Sequence, residues 1–342
     1  MHNKPPTIKD IAQKLHLSIS TVSRALRNAA DINPETKRNV LELTELLNYQ
    51  PNRLALSLRQ KQTNTIGVIV PNLDYVLSTM VRGIDEAALE AGFTVIVCQS
   101  NESFGREVVN TRRMLQSLVD GYIISISSET KSNEHFKVIK DRNIPFVVFD
   151  RVIPGLEASS VILDNEEGGF LATEHLIEQG YKRIAILAGA KTLGISNSRL
   201  NGYKLALKKH ALKFDPELVI YCDFNQDFAY FATEELLSSK KRPDAIFTIS
   251  DRMAIGAMLA IKKKGLRMPD DIGLVGFNNE PSLALFSPSI SSVEQPSFEI
   301  GKMAGKLFIE QFLNNDSSNS KEIILKPKLF IRESSLRLAK KL

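Results

Sequence analysis

The fold class predicted from the sequence is a small all-α helix-turn-helix head followed by an α/β core of two doubly wound parallel sheets. Three observations carry it. Residues 7–47 hold short apolar stripes at helical spacing and no strand-like run. From Ile66 onward, short Val- and Ile-rich runs alternate with amphipathic helical patterns, as in a parallel sheet covered on both faces. That alternation starts afresh after Val161–Leu163, which gives two similar lobes. The expected boundaries are 1–50 for the head, 51–63 for a hinge and 64–342 for the core. Lobe 1 is expected to take about 64–162 and 291–323, and lobe 2 about 163–290 and 324–342.

In the head, Thr7 can cap a first helix, with Asp10 three residues on in a capping-box position. Ile8, Ile11, Ala12 and Leu15 form its buried face. Leu17 lies at the turn, and Ser18 suits the N-cap of a second helix whose inner face is Val22, Ala25 and Leu26. Ile19, Ser20, Ser23, Arg24 and Arg27 then point outward, the surface that a helix-turn-helix presents to a DNA major groove. A third helix starts at Asn33-Pro34, with Val40, Leu43, Leu46 and Leu47 as its apolar stripe. Next, Pro51 to Arg59 is helix-compatible over about two turns, short of the roughly 12–15 residues that an isolated helix needs in water. It reads as a linker that becomes helical only against a partner.

In the core, Ile66–Val70, Thr94–Cys98, Tyr122–Ile126 and Phe146–Phe149 read as strands, with helices around 79–91, 105–118 and 132–142. The second round has Ile184–Ala188, Val219–Cys222, Ala245–Ile249 and Gly273–Phe277, with helices near 166–180, 199–211, 228–238 and 252–264. A late helix over 298–313 and one final strand over Glu322–Ile331 must return to complete the lobes. The chain therefore crosses between them more than once, making a hinge and a cleft. In open α/β sheets ligands lie at the carboxyl ends of the strands, which here face that cleft.

Charge sharpens the division of labour. Residues 1–61 carry ten basic and five acidic side chains, so the whole net charge of +5 sits in the head and hinge and the core is balanced. That is the distribution expected of a nucleic-acid-binding head on a neutral body. Cys98 and Cys222 stand far apart and outside any metal-ligand spacing, which argues for a reducing compartment and against structural zinc or a disulfide framework. The first ten residues lack the apolar stretch of a signal peptide, and no apolar run approaches the ~18 residues of a membrane helix. A cytoplasmic protein with no metal, no cofactor and no catalytic residues is expected. P-loop, GxSxG, HExxH and GxGxxG motifs are absent, and the five histidines are dispersed.

The stretch TIKDIAQKLHLSISTVSRALRN resembles the head of the lactose-repressor (LacI/GalR) family of bacterial transcription regulators, and the likeness runs on through the chain. PNRLALSL resembles that family's hinge helix and IGVIVPN its first core strand. FDR at 149–151, RLNGY at 199–203, SDRMAIGA at 250–257, IGLVGFNNEP at 272–281 and SVEQP at 292–296 are also similar. The resemblance implies a homodimer that binds a pseudo-palindromic operator in double-stranded DNA. It also implies a periplasmic-binding-protein-like core that is switched by a small molecule, by default a sugar or sugar phosphate of a carbohydrate-utilisation operon. A freestanding solute-binding protein shares the two-lobed fold, but it needs a signal peptide and no basic head. A sugar-processing enzyme with a regulatory head lacks motif support.

Residue by residue, the resemblance places Ile19, Ser20 and Arg24 at base edges. Arg24 can offer a fork to guanine, Ser20 can bond several bases, and Ile19 can touch a thymine methyl. Thr7, Ser18, Thr21, Ser23 and Asn28 are expected to bond phosphates or cap helices. Asn52, Arg53, Ala55 and Leu58 fall on the hinge, where the resemblance makes Leu58 the wedge that kinks the central base step from the minor groove. In the cleft, Arg199 matches the family's ligand-binding arginine and opens a helix. Asn278 stands where many relatives carry an aspartate, a departure that suits neutral hydroxyls. Asp150 and Arg151, Phe224, and Ser250 with Asp251 follow three strand ends and complete the expected effector set, although Asp251 can also be a plain helix cap. Val76 and Leu77 replace an aromatic pair that relatives often place over the ligand.

Overall fold

The computed structural model describes residues 6–49, 62–117, 119–222, 224–314 and 320–337. The chain divides into two compact units, Met1–Thr63 and Asn64–Leu342. The hinge positions Asn52, Arg53, Ala55 and Leu58 lie outside the described residues.

The described residues of the first unit form a three-helix head: α1 (Ile8–Lys14), α2 (Ile19–Leu26) and α3 (Pro34–Leu46). Its helix starts follow from the sequence. The Asp10 carboxylate accepts the Thr7 backbone N–H at 2.7 Å in a capping box, Ser18 accepts the Thr21 N–H at 3.0 Å, and Asn33 accepts the Glu35 N–H at 2.8 Å. Asn28 follows α2 with φ +60°, the left-handed position that Asn tolerates after a helix. Ile11, Ala12, Val22, Ala25 and Val40 are buried at the centre, with Leu15, Leu17, Leu43 and Leu47 packed around them. Leu46 is the exception to the expected stripe, at 81% exposed. It lies six residues after Val40, about 240° around the helix, on the side opposite the core.

The second unit holds two six-stranded sheets. Sheet 1 comprises β1 (Thr65–Val70), β2 (Thr94–Gln99), β3 (Gly121–Ile124), β4 (Phe146–Phe149), β5 (Ser159–Leu163) and β11 (Glu322–Leu325), in the order β11-β5-β4-β3-β1-β2. Sheet 2 comprises β6 (Ile184–Ala188), β7 (Val219–Tyr221), β8 (Ala245–Thr248), β9 (Gly273–Asn278), β10 (Ser291–Glu294) and β12 (Lys328–Phe330), in the order β12-β10-β9-β8-β6-β7. Among the described residues every pairing is parallel except β10 with β12. The near-continuous burial of β1, β3, β4, β6 and β8 is what a sheet covered on both faces requires.

The helices of lobe 1 are α4 (Tyr75–Glu90), α5 (Phe104–Gln116), the short α6 (Lys137–Asp141) and α11 (Ser297–Asn314). Those of lobe 2 are α7 (Asn165–Glu178), α8 (Gly194–Lys209), α9 (Gln226–Ser238) and α10 (Asp251–Lys263). Two returns differ from expectation. Ser291–Glu294 is a strand of sheet 2, so the chain goes back to lobe 1 at Gln295–Ser297 and not before Ser291. The stretch expected as one strand over 322–331 is two: β11 closes sheet 1, and β12 turns to run antiparallel in sheet 2. Pro327 separates them, and its missing N–H cannot continue a ladder. No helix among the described residues is long and apolar enough to cross a membrane.

Candidate functional site

On the head, the outward face of α2 is as its periodicity dictates. Ile19 is 45% exposed, Ser18, Ser20, Arg24 and Asn28 are exposed, and Thr21 and Ser23 are half-buried. Ser18, Ser20 and Thr21 share one hydroxyl cluster, with Ser18 Oγ 2.7 Å from Ser20 Oγ and 2.8 Å from Thr21 Oγ1. Ser18 is thus a cap, and its oxygen is already engaged. Arg24 ion-pairs with Asp31, which holds the guanidinium on the exposed side of the helix. Thr7 is exposed, with its hydroxyl donating to Asp10 at 2.7 Å.

Between the lobes of the core lies a cavity of about 430 Å³. It is walled from the carboxyl ends of the strands of both sheets. Of the seven expected effector residues, Asp150, Arg151, Arg199, Phe224, Ser250 and Asn278 line it. The seventh, Asp251, does not. It is fully buried behind the wall, where Oδ2 accepts the Glu280 N–H at 2.7 Å and Oδ1 accepts the Ser292 hydroxyl at 2.7 Å. Burial pushes its carboxyl up to about 7, against those two hydrogen bonds. Its role is to fix the loop after β9.

Arg199 is the most deeply set charge of the lining. It lies in the second turn of α8 and not at a helix start, because the helix begins five residues earlier in the weak helix formers Gly194, Ser196 and Asn197. It is 2% exposed; Nε donates to Asn165 Oδ1 at 2.8 Å and Nη1 to the Ile249 carbonyl at 2.5 Å. Its guanidinium lies 3.6 Å above the Phe277 ring centre. Burial lowers its pKa to about 9, which still leaves it charged at neutral pH. The backbone of α8 can come this close because Gly169 on α7 faces the Arg199 carbonyl and Gly202 on α8 faces that of Glu166, in both cases with no room for a Cβ.

A hydrogen-bonded path leads from Arg199 across the hinge. Nη2 approaches Gln295 Oε1 at 3.4 Å, and Gln295 Nε2 donates to Asp150 Oδ1 at 2.8 Å. Asp150 sits at φ +61°, a left-handed turn that ends β4 and aims its carboxylate at the hinge. Arg151 is tied to Glu102, with Nη1 donating to both carboxylate oxygens at 2.8 and 2.9 Å. Ser250 caps α10 through the Met253 N–H at 3.4 Å. Phe224 is the one aromatic ring among the described lining residues, and Val76 and Leu77 give lobe 1 an aliphatic wall. A second cavity of about 490 Å³ shares Ser128, Asp150, Arg151, Leu193 and Ile195 with the first and extends along the start of α8.

Sequence reasoning missed Asn72, Asp74, Glu102, Arg252, Glu280 and Gln295, which also line the cavity. Gln295 carried a signal in SVEQP, and Asp74 in its place as a helix cap after β1. Asn72, Arg252 and Glu280 lie within IGVIVPN, SDRMAIGA and IGLVGFNNEP, whereas Glu102 is a loop charge brought to the cleft only by the topology. Among the described residues, no group of three or more His, Cys, Asp or Glu could hold a metal ion.

Comparison with known proteins agrees with this geometry. Residues 7–52 match the model of bacterial regulatory proteins of the lacI family, and residues 173–335 that of a periplasmic binding protein-like domain. The chain is 32% identical over 313 residues to the HTH-type transcriptional repressor PurR of Vibrio atlanticus, covering 91% of this chain and 93% of that one. It is 31% identical over 331 residues to catabolite control protein A of Priestia megaterium, covering 96% and 99%. It is 32% identical over 330 residues to the ribose operon repressor of Halalkalibacterium halodurans, covering 96% and 97%. Among solved structures, a lac repressor dimer bound to operator and the anti-inducer ONPF superimposes with a TM-score of 0.88 at 26% identity, over 98% of this chain and all of that one. A complex of the transcriptional regulator CelR with cellobiose gives 0.71 at 28% identity, over 96% and 99%. A helix-turn-helix head and a two-sheet core with a polar cleft, matched along almost their whole length by repressors, place this chain in the lacI family of bacterial regulatory proteins, as a transcription regulator.

Proposed function

We propose that this regulator is a cytoplasmic homodimeric repressor of a carbohydrate-utilisation operon. In this reading its pseudo-palindromic operator is read by α2, and a sugar in the interlobe cavity sets its affinity for DNA. The observation that carries the reading is the cavity itself. Its polar groups come from both lobes and converge on a space large enough for a mono- or disaccharide. Among the described lining residues only Phe224 offers an aromatic face, which suits a polyhydroxylated ligand better than a stacked base. Supporting it, one relative is named a ribose operon repressor and one structural neighbour holds cellobiose.

The residues assigned to DNA are Ile19, Ser20 and Arg24 for bases and Thr7, Ser18, Thr21, Ser23 and Asn28 for position. The effector residues are Asp150, Arg151, Arg199, Phe224, Ser250 and Asn278, with Asp251 acting through the loop it holds. The reading assigns no catalytic step. Effector and operator are coupled reciprocally through lobe closure.

The test is an operator mobility shift at fixed salt with the full chain and a panel of sugars, paired with thermal denaturation against the same panel. A sugar that both raises the melting temperature and shifts operator affinity supports the reading. A stabiliser found only among purines, or the absence of sequence-selective DNA binding with every ligand, overturns it.

A further inference from the structure

Three charged residues at the cavity stand apart from the rest. Asp74, Arg252 and Glu280 all line it, and they come from opposite walls. Asp74 is the N-cap of α4 in lobe 1, where Oδ1 accepts the Leu77 N–H at 3.2 Å and Oδ2 is left over. Arg252 is the second residue of α10 in lobe 2, exposed, and in no ion pair among the described residues. Glu280 follows β9 in lobe 2. Its backbone N–H is fastened to Asp251, while its half-buried carboxylate bonds to no described residue.

The other charges of the lining are already committed. Arg151 is spent on Glu102, Asp150 receives Gln295, and Arg199 is held by Asn165 and the Ile249 carbonyl. What remains is one guanidinium facing two carboxylates, one carboxylate from each lobe. Both carboxylates are raised above their ordinary values, first by burial. For Glu280 the charge of Asp74 adds to this and Arg252 opposes it, so the two acids feel each other across the cleft. For Asp74, the cap bond from Leu77 lowers the value, Asp150 raises it, and Arg151 and Arg252 lower it.

We infer that Arg252 is an interlobe latch: when the lobes close, its guanidinium bridges Asp74 of lobe 1 and Glu280 of its own lobe. A planar guanidinium can serve two carboxylates at once, each through a directed, charge-assisted bond. Without it, closure would press two like charges together in a partly dry cleft, where their repulsion is poorly screened. The latch sets a preference for effectors that leave Arg252 free, because an anionic group in the cavity would compete for it. The inference rests on this cavity being the effector cleft, and it makes closure a property of the protein's own charges.

The experiment needs no effector, so its outcome is independent of which sugar binds. Nitroxide labels at Lys131 and Thr192, exposed positions on lobes 1 and 2, are introduced into the full chain carrying Cys98→Ser, with Cys222 buried. Pulsed dipolar spectroscopy then reads the interlobe distance at neutral pH. Arg252→Gln is expected to move the distribution to longer distances. Adding Glu280→Gln, or Asp74→Asn, which keeps the helix cap, is expected to bring it back. An Arg252→Gln distribution that superimposes on the parent sinks the latch, and so does a lengthening that neither second substitution reverses. Circular dichroism melting of each variant identifies any that is misfolded.

Discussion

Arg199 is buried to the depth of a core residue yet lines the cleft, and this double placement makes it sensitive to substitution. Lysine would keep the charge but lose the fork that engages Asn165 and the Ile249 carbonyl together, and the flat face that rests on Phe277. Arg199→Lys should weaken effector binding by about 2 kcal/mol, roughly 30-fold, as measured by calorimetry with whichever sugar the thermal screen identifies. Two other buried residues pull stability in opposite directions with pH. Burial lowers His175 from 6.5 to about 4, so the unfolded chain binds its proton first and stability rises with pH between those values. Burial raises Asp251 from 3.8 to about 7, so the folded chain binds its proton first and stability falls with pH over that window. The two slopes nearly cancel between pH 4 and 6.5. Asp251→Asn removes one of them, and Ser292 Oγ can turn to accept from the new amide. Urea denaturation of that variant should then show stability falling on acidification below pH 6.5, by up to about 1.4 kcal/mol per pH unit. A variant with the same pH dependence as the parent would contradict the assignment.

At the scale of elements, close helix contacts set the lobes. Gly301 of α11 faces the Met80 carbonyl of α4, and Gly83 of α4 faces that of Phe298, with no space for a side chain at either position. Gly301→Ala must push the two helices apart and should cost about 1–3 kcal/mol in chemical denaturation, with m unchanged. Gly169→Ala should act on function as well as stability, since it displaces the stretch of α8 that carries Arg199. The alternation of apolar runs and helical stripes made the central strands and their order of appearance legible, because strands buried on both faces leave no polar interruptions. The late strands were not legible. β10 and β12 are short and carry Ser, Glu and Lys, and β11 gives no sign of changing sheets until Pro327. The cleft divides the same way. Arg199, Asn278, Arg252 and Glu280 all lie in motifs, whereas Glu102 joins them only when distant segments meet at one cavity. Asp251 was misplaced because a helix-capping position gives no indication of which side of the wall the carboxylate lies on.

For the molecule as a whole, charge separates reading from sensing. The head and hinge together carry the entire net charge of +5, so DNA affinity should fall steeply with salt while effector affinity should not. Arg24→Ala should weaken operator binding by about 1–3 kcal/mol and relax selectivity at one base pair, leaving the effector-induced rise in melting temperature unchanged. Mobility shifts on an operator and on single-base variants read both effects, and equal losses on every variant would reassign Arg24 to a phosphate.

The order of strands in the two sheets has a consequence for how the protein is made. The head is complete by Leu47 in the order of synthesis, yet each sheet waits for a strand from the far end of the chain: β11 at Glu322–Leu325 and β12 at Lys328–Phe330. Domains fold as they leave the ribosome, N-terminal first. The DNA-reading head can therefore take shape while both lobes of its sensor are still unfinished. A chain arrested before Glu322 should carry a folded reader and no competent switch. Arrested ribosome complexes probed by limited proteolysis should show a protected head at lengths where both lobes are still cut.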